Sequence, residues 1–310
     1  MTLRLRLVSF WLRHVEKRAL ARSTPEEARE RFARMTRFLL DPPFALYLED
    51  RIAGVPVTWA SAAPADPAQA RERRDAVLFW IHGGAHLMGG AFSHRALAAR
   101  IGAATGMRAC LPDYRLAPEH PFPASLEDSL AVWDGLLAAG HRPGGIVLGG
   151  DSSGGGVMLA LLAVLLARGE RPACAVALAP FTDLTGSGAS FRDNRESDHF
   201  LPAHRLTEVK DLFLAGADPR DPRASPHFAA FPDCPPVFLQ LARTEILRDD
   251  GLRMAEKLRA GGTEVELDLW DDCPHVWALF QGWLPEADAA VARIAGFIRR
   301  RLPALLASES

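Results

Sequence analysis

Ser152 stands between glycines in the middle of the chain, in a segment whose residue types could supply a nucleophile. Gly150, Ser152 and Gly154 fit the pattern G-x-S-x-G, in which a sharp strand-to-helix turn exposes a serine hydroxyl. An apolar run at 145–148 predicts the strand, and a second run at 157–167 predicts the helix. Small residues suit such a turn because side chains beside the serine would collide with the neighbouring strand and helix.

The same glycine-rich turn could instead hold a phosphate, because helix N-termini bind anions. The chain contains no G-x-G-x-x-G pattern, and no Gly-Lys-Ser/Thr follows the turn. Both patterns accompany nucleotide binding. A nucleotide or phosphate binder is therefore disfavoured.

A serine hydroxyl near neutral pH needs a base, and the base needs an acid that orients it. His275 follows a predicted strand at 265–270, which makes it the expected base. Three carboxylates, Glu245, Asp249 and Asp250, follow the predicted strand at 237–241. We favour Glu245 because it is nearest the strand end. Asp249 and Asp250 suit the first turn of the next helix, but they stay open as alternatives.

Gly83 and Gly84 follow another predicted buried strand, with His82 and His86 on either side. Fixed N–H donors stabilise the oxyanion that forms when a nucleophile attacks a carbonyl group. We expect the amides of Gly83 and Gly84 to be two such donors, and the Ser153 amide to be the third. The two histidines could also suggest a metal pair, but zinc pairs at that spacing lie on a helix, which the glycines oppose. We expect no metal and no cofactor.

Strands and helices alternate along most of the chain, which predicts a mostly parallel sheet flanked by helices, in a single α/β domain over residues 1–310. The candidate groups would then share the carboxyl edge of the sheet, where such folds bind ligands. The expected strands are 44–48, 55–59, 76–81, 107–111, 145–148, 173–178, 237–241 and 265–270. The expected helices are 96–104, 125–139, 157–167, 252–260 and 287–302, and a surface turn is expected at 60–74.

Three further segments lie outside this alternation. Thr24-Pro25-Glu26-Glu27 predicts a helix start, and the prolines after Asp41 predict its end. Residues 1–20 predict an amphipathic helix rich in arginine, for which packing is favoured and contact with a membrane surface stays open. A long insertion at 180–235 holds one expected helix, at 204–214.

Composition narrows the function further. The 310 residues carry a formal net charge of −2, so no basic footprint argues for nucleic acid. The four cysteines are scattered, which predicts reduced, mostly buried thiols rather than disulfides. The apolar stretch at the N-terminus is too short for a signal sequence or a membrane span. We therefore expect a cytoplasmic protein without stable membrane insertion.

Several sequence blocks together resemble the hormone-sensitive-lipase-like (family IV) carboxylesterases of the α/β-hydrolase superfamily. In these hydrolases the chain order is serine, acid, histidine. The blocks are His82-Gly83-Gly84-Ala85, Asp113-Tyr114-Arg115-Leu116-Ala117-Pro118-Glu119, Gly150-Asp151-Ser152-Ser153-Gly154-Gly155, the segment 245–250, and Pro274-His275-Val276-Trp277. Two departures are Ala85, where the family usually has a third glycine, and Glu245, where it most often has aspartate.

The resemblance implies Ser152 as nucleophile, His275 as base, and an oxyanion hole of Gly83, Gly84 and Ser153. It also implies a helical cap formed by about 1–43 and 181–230. The implied function is a serine carboxylesterase that hydrolyses short- to medium-chain acyl esters through an acyl-enzyme. The alternatives are a lactonase with the same mechanism and a non-catalytic small-molecule receptor, against which the presence of His275 argues. A homodimer stays open, by analogy with relatives.

The resemblance also suggests roles for residues around the site. Asp113, Arg115 and Glu119 would anchor loops, braced against the glycines after the third strand, and Asp151 would support the serine turn. Six apolar residues could line an acyl pocket or simply pack in the core: Phe32, Met35, Phe191, Phe200, Leu201 and Leu206.

Overall fold

An eight-stranded sheet forms the centre of the protein in a computed structural model that describes residues 1–63 and 76–302. The strand order across the sheet is β1-β2-β4-β3-β5-β6-β7-β8. The β1–β2 and β2–β4 pairs are antiparallel, and the other five pairs are parallel. The strands are β1 Leu46–Ile52, β2 Val55–Ser61, β3 Val77–Ile81, β4 Arg108–Pro112, β5 Ile146–Asp151, β6 Cys174–Leu178, β7 Val237–Ala242 and β8 Val265–Trp270.

Helices cover both faces of this sheet, as a parallel sheet with continuous apolar strands requires. Every residue of β3, β5, β6 and β7 is buried. One face packs against α4 and α10, and the other packs against α5, α6 and α9. These helices are α4 Ala91–Thr105, α5 Ala124–Ala138, α6 Ser152–Ala167, α9 Arg248–Ala260 and α10 Pro285–Arg301. The predicted α/β class with a mostly parallel sheet is confirmed.

Some predicted bounds were wrong. Helix α4 begins at Ala91 rather than at residue 96, because the Asp113 carboxylate accepts the Ala91 N–H at 2.6 Å and holds the first turn. The helix that starts after Thr24 ends at Thr36, before the prolines expected to stop it. Most of the surface turn expected at 60–74 lies outside the described residues.

The helical cap is built from two distant parts of the chain. The N-terminal part holds α1 Leu3–Trp11, a π-helical turn, α2 Lys17–Leu20 and α3 Pro25–Thr36; the segment between β6 and β7 holds α7 Ser190–Asp193 and α8 Leu206–Leu214. As predicted, Thr24 and Glu27 form a capping box at the start of α3. Arg205 joins the two parts by donating to the carbonyls of Leu20 at 3.0 Å and Ser23 at 2.7 Å. The expected cap bounds, 1–43 and 181–230, stay predictions.

All four cysteines are free and buried, as expected from their scattered positions. In the described ranges, no helix combines the length and apolar character that crossing a membrane requires.

Candidate active site

The turn at Ser152 has the strained geometry that its sequence predicts. Ser152 adopts a φ of +53° at the junction of β5 and α6, a conformation that residues with a side chain rarely hold. A Cβ atom at Gly154 would collide with the His82 carbonyl, and one at Gly150 would lie 2.7 Å from the Gly154 carbonyl oxygen. Glycine is therefore required on both sides of the serine.

The glycine loop, residues 82–90, packs directly on this turn. A Cβ atom at Gly83 would collide with the Asp151 carboxylate, and one at Gly84, whose φ is +132°, would overlap the Met88 carbonyl. Ala85 follows with a φ of +55°, so it adopts a left-handed conformation that glycine would reach without strain. The Ser153 hydroxyl accepts the His86 N–H at 3.1 Å and ties the loop to α6.

The three amides expected to be oxyanion donors lie on these two segments. The Gly83 and Gly84 amides are in the glycine loop, and the Ser153 amide is in the first turn of α6. Within residues 1–63 and 76–302, none of the three donates a hydrogen bond. Fixed N–H groups without an acceptor are available to a ligand oxygen.

His275 and Glu245 form a buried pair at the carboxyl edge of the sheet. The His275 Nδ1–H donates to Glu245 Oε2 at 2.6 Å, and Glu245 Oε1 accepts the Ala242 N–H, also at 2.6 Å. Both side chains are almost fully buried. The other ring nitrogen of His275, Nε2, is buried without a hydrogen-bond partner among the described residues. Glu245 therefore fixes the orientation of the ring through Nδ1, and Nε2 is left to accept a proton.

The electrostatics of the pair favour a basic imidazole. Burial alone would lower the pKa of His275, but the hydrogen bond and charge of Glu245, assisted by the charges of Asp198 and Asp151, raise the pKa above its ordinary value. Burial raises the pKa of Glu245, and the hydrogen bond to His275 opposes that rise. A carboxylate behind an imidazole stabilises the imidazolium that forms when the ring takes a proton.

Asp249 and Asp250, the two alternative acids, have other partners. Asp249 accepts the Ser190 N–H at 2.9 Å. Asp250 accepts the N–H groups of Thr182 and Asp183 at 2.7 and 2.9 Å, and burial raises its pKa to about 7. Of the three candidate carboxylates, the structure brings only Glu245 to His275.

Ser152 and His275 line the same cavity, which has a volume of about 120 Å³. Most of its other walls are apolar side chains of the cap and of the loop after His275. Phe32, Met35, Phe200, Leu201 and Leu206 line it, as the acyl-pocket prediction proposed. Phe191 does not line the cavity and takes the other alternative, packing in the core. It packs on Phe181 at a ring distance of 6.1 Å, in the hydrophobic cluster behind Leu201 and Leu206.

A second group of serine, histidine and carboxylate lies beside the first. Asp151 accepts hydrogen bonds from Trp80 Nε1 and from His94 Nε2, both at 3.0 Å, and His94 Nδ1 lies 2.8 Å from the Ser93 hydroxyl. Ser93 also hydrogen-bonds both backbone groups of Gly90 at the start of α4. This group fixes Asp151 under the serine turn, the supporting role that the sequence suggested.

The predicted loop anchors divide between two roles. Glu119 binds Arg29 of α3 through both carboxylate oxygens at 2.6 Å, and Arg29 also donates to the carbonyls of Leu87 and Ala117. The cap is thereby tied to the glycine loop. Arg115 was expected to brace that loop as well, but it pairs with Asp128 of α5 instead, at 2.8 Å.

Sequence reasoning missed Asp198, a buried carboxylate that joins the cap to the Glu245 loop. Its Oδ1 accepts the N–H groups of Phe200 and Leu201, and its Oδ2 accepts the Ile246 N–H, at distances of 2.8 to 2.9 Å. It therefore fixes two walls of the cavity and the residue after Glu245. The only available signal was an acidic residue before an apolar pair, Phe200-Leu201, in a segment without periodicity.

Residues 78–279 match the model of a protein family described as having the alpha/beta hydrolase fold. The chain belongs to this family. A solved structure described as an esterase from the bacterial hormone-sensitive lipase family is 36% identical, with a TM-score of 0.90 over 97% of this chain and 99% of that one. The resemblance to hormone-sensitive-lipase-like carboxylesterases is thereby confirmed.

Curated relatives carry related names. An acetyl-hydrolase of Streptomyces hygroscopicus is 36% identical over 72% of this chain and 75% of its own length. An esterase of Acinetobacter venetianus is 35% identical over 71% and 74%, respectively. The structure of EstE5 soaked with p-nitrophenyl butyrate is 30% identical, with a TM-score of 0.88 over 97% of this chain and 99% of that one.

Proposed function

We propose that Ser152, His275 and Glu245 are the catalytic triad of this protein. In the first step the Ser152 hydroxyl attacks the carbonyl carbon of an ester, and its proton passes to His275 Nε2. His275 then protonates the leaving alcohol, and an acyl-enzyme remains on Ser152. Glu245 holds the imidazole in the required tautomer and stabilises its positive charge.

The oxyanion that develops on the carbonyl would be held by the amides of Gly83, Gly84 and Ser153. Each such donor contributes about 10²–10³ in rate, because it is fixed before the charge develops. In the second half of the reaction His275 removes a proton from water, which attacks the carbonyl carbon of the acyl-enzyme. The bond to the Ser152 oxygen then breaks, His275 returns its proton to that oxygen, and the acid is released. No metal or cofactor takes part in these steps.

The protein is a carboxylic ester hydrolase, as its family and its relatives indicate. We propose short- to medium-chain acyl esters as its substrates. A cavity of about 120 Å³ with apolar walls suits a small acyl group, since a cavity of about 150 Å³ holds a molecule the size of benzene. Cytoplasmic location, a homodimer and the absence of a nucleic-acid partner stay expectations.

The observation that carries this proposal is the arrangement of His275. One ring nitrogen is held by a buried carboxylate, while the other has no partner among the described residues and belongs to a ring that lines the cavity with Ser152. A ligand-binding scaffold that only holds a small molecule does not require a serine in a strained conformation beside an oriented base. The same arrangement would also open a lactone, so substrates must separate those two activities.

The test is hydrolysis of p-nitrophenyl esters of increasing acyl length, with γ-lactones assayed in parallel. We expect the highest kcat/KM among short chains and almost no turnover by Ser152→Ala. Full turnover by Ser152→Ala would contradict the proposed nucleophile. A clear preference for long-chain emulsions or for lactones would contradict the proposed substrate class.

A further inference from the structure

The outer face of the N-terminal helix exposes an unusual set of large apolar side chains. Leu3, Leu7 and Phe10 are 70%, 62% and 63% exposed, and they are spaced as neighbours on one face of α1. The opposite face is buried, with Leu5 and Leu12 against the protein. A contiguous row of exposed apolar side chains of this kind is typical of an interaction surface.

The apolar surface continues beyond this helix. Arg4 donates to the Trp283 carbonyl at 3.3 Å, and the Trp283 indole N–H donates to the Phe38 carbonyl at 3.0 Å. Trp283 and Phe38 are themselves 48% and 76% exposed. We name Leu3, Leu7, Phe10, Phe38 and Trp283 the apolar patch. The two hydrogen bonds place Trp283 beside α1 and Phe38 beside Trp283, so the patch joins one tryptophan to leucine and phenylalanine side chains.

The helical segment is strongly cationic, although the whole chain carries a net charge of −2. Residues 1–22 contain six lysines or arginines and one acidic residue, Glu16. Glu16 is buried and neutralised by Arg31 at 2.7 Å, so its charge does not reach the outer face. The exposed members of the set are Arg4, Arg6, Arg18 and Arg22.

A groove of about 610 Å³ adjoins the C-terminal half of this segment and adds to the positive charge. Arg13, Lys17, Arg18 and Arg195 line it, with Glu196 as the acidic member. Lys17 donates to two backbone carbonyls, those of Arg195 at 2.7 Å and Asp198 at 2.8 Å. The negative charges of Asp198 and Glu196 also act on this ammonium group, so the groove is cationic but partly compensated, and the exposed arginines carry most of the available positive charge.

We propose that the apolar patch and the arginines of residues 1–22 dock this protein on the surface of an anionic phospholipid bilayer. The helix would lie in the plane of the interface, with the patch among the acyl chains and the cations against the phosphate groups. A second copy of the chain fits this face poorly, because its arginines would oppose the same arginines across a twofold axis. Leu12 and Leu20 on the inner side of the segment line the substrate cavity. Docking would therefore place the wall of that cavity against the lipid.

The test is co-sedimentation of the full chain with vesicles of phosphatidylcholine, with or without phosphatidylglycerol. We expect binding only with phosphatidylglycerol, and weaker binding at high salt. Phe10→Ser should weaken binding about ten-fold, and Arg18→Gln about five-fold. Phe228→Ser and Arg220→Gln, which alter exposed side chains in the insertion, serve as matched controls and should change nothing.

Two readouts separate this proposal from the proposed function. Ser152→Ala should bind vesicles like the wild type, so a failure of catalysis leaves the binding test intact. Phe10→Ser and Arg18→Gln should hydrolyse p-nitrophenyl acetate at the wild-type rate, which shows that they are folded. Equal binding to both vesicle types, undiminished binding by Phe10→Ser, or a dimer in sedimentation velocity that Phe10→Ser dissociates would each overturn the proposal.

Discussion

Two buried histidines of this protein are each hydrogen-bonded to a buried carboxylate, but they differ in the hydrogen bonding of the second ring nitrogen. His94 has both ring nitrogens occupied, by Asp151 and by Ser93. His275 has one nitrogen held by Glu245 and the other without a partner among the described residues. Ser93 in turn is bonded to the backbone of Gly90, whereas Ser152 is strained and lines the cavity. A reactive histidine thus keeps one ring nitrogen without a hydrogen-bond partner. Where the same residue types have all their hydrogen bonds occupied, the group is structural.

The largest expected effect is the difference in kcat between substitutions of the two serines, Ser152 and Ser93. Ser152→Ala removes the proposed nucleophile, and kcat should fall by about 10⁶-fold. Ser93→Ala removes hydrogen bonds at the start of α4, so the free energy of unfolding should fall by about 1 kcal/mol with little change in kcat. Steady-state kinetics and urea denaturation of both variants measure this contrast. A comparable loss of kcat in the two variants would contradict the assignment.

The carboxylate behind His275 should govern both rate and pH dependence. The base must be neutral, and its pKa is raised by Glu245, so the acid limb of kcat/KM should lie above about pH 6.5. Glu245→Gln removes the charge that raises this pKa. The limb should therefore move to lower pH, and kcat should fall by about 10³–10⁴-fold.

Asp249→Asn is the matched control for this experiment, because Asp249 is close in sequence but bonds Ser190 instead of His275. Its pH profile should coincide with that of the wild type. A shift of the limb in Asp249→Asn, with none in Glu245→Gln, would show that the wrong acid was chosen.

Gly83 lies where the two groups meet, since a Cβ atom there would collide with the Asp151 carboxylate. Gly83→Ala should displace the glycine loop and lower kcat by about 10²-fold through a misplaced amide. Gly296→Ala in α10 is the control, because its new Cβ would be 3.5 Å from the nearest atom. That variant should keep its kcat and gain up to about 1 kcal/mol of stability. Unchanged kcat in Gly83→Ala would remove the loop from the mechanism.

The smallest catalytic effect, with a large effect on stability, is expected at His94. His94→Leu leaves the buried Asp151 carboxylate with the indole of Trp80 as its remaining side-chain donor. The free energy of unfolding should fall by about 3–5 kcal/mol, while kcat of the folded protein stays within about ten-fold of the wild type. His204→Leu, at an exposed position, should cost less than about 0.5 kcal/mol. Urea denaturation checks both values.

The difference between the two groups also shows what the sequence could predict. Ser152, His275 and the glycines follow strand ends, so local patterns indicated both their residue types and their common edge of the sheet. The glycines are identified by backbone constraints that any other residue would violate. The sequence pattern could not decide among the three carboxylates, because the path of the chain after β7 determines which of them reaches His275.

The cap was less predictable for a physical reason. Arg29 meets Glu119 ninety positions away, and Asp198 binds backbone N–H groups, which exist at nearly every residue. Contacts of these kinds leave no periodic or motif signal in the sequence. Phe191 illustrates the same limit, because an apolar residue in a segment without sequence periodicity can either line the cavity or pack behind its wall.

Covalent labelling by a fluorophosphonate, followed by mass spectrometry of the modified peptide, tests most directly whether Ser152 is the nucleophile and His275 its base. We expect modification of Ser152 alone, strongly slowed in His275→Ala and maintained in Ser93→Ala. Modification of Ser93, or labelling of Ser152 that is equally fast without His275, would contradict this expectation.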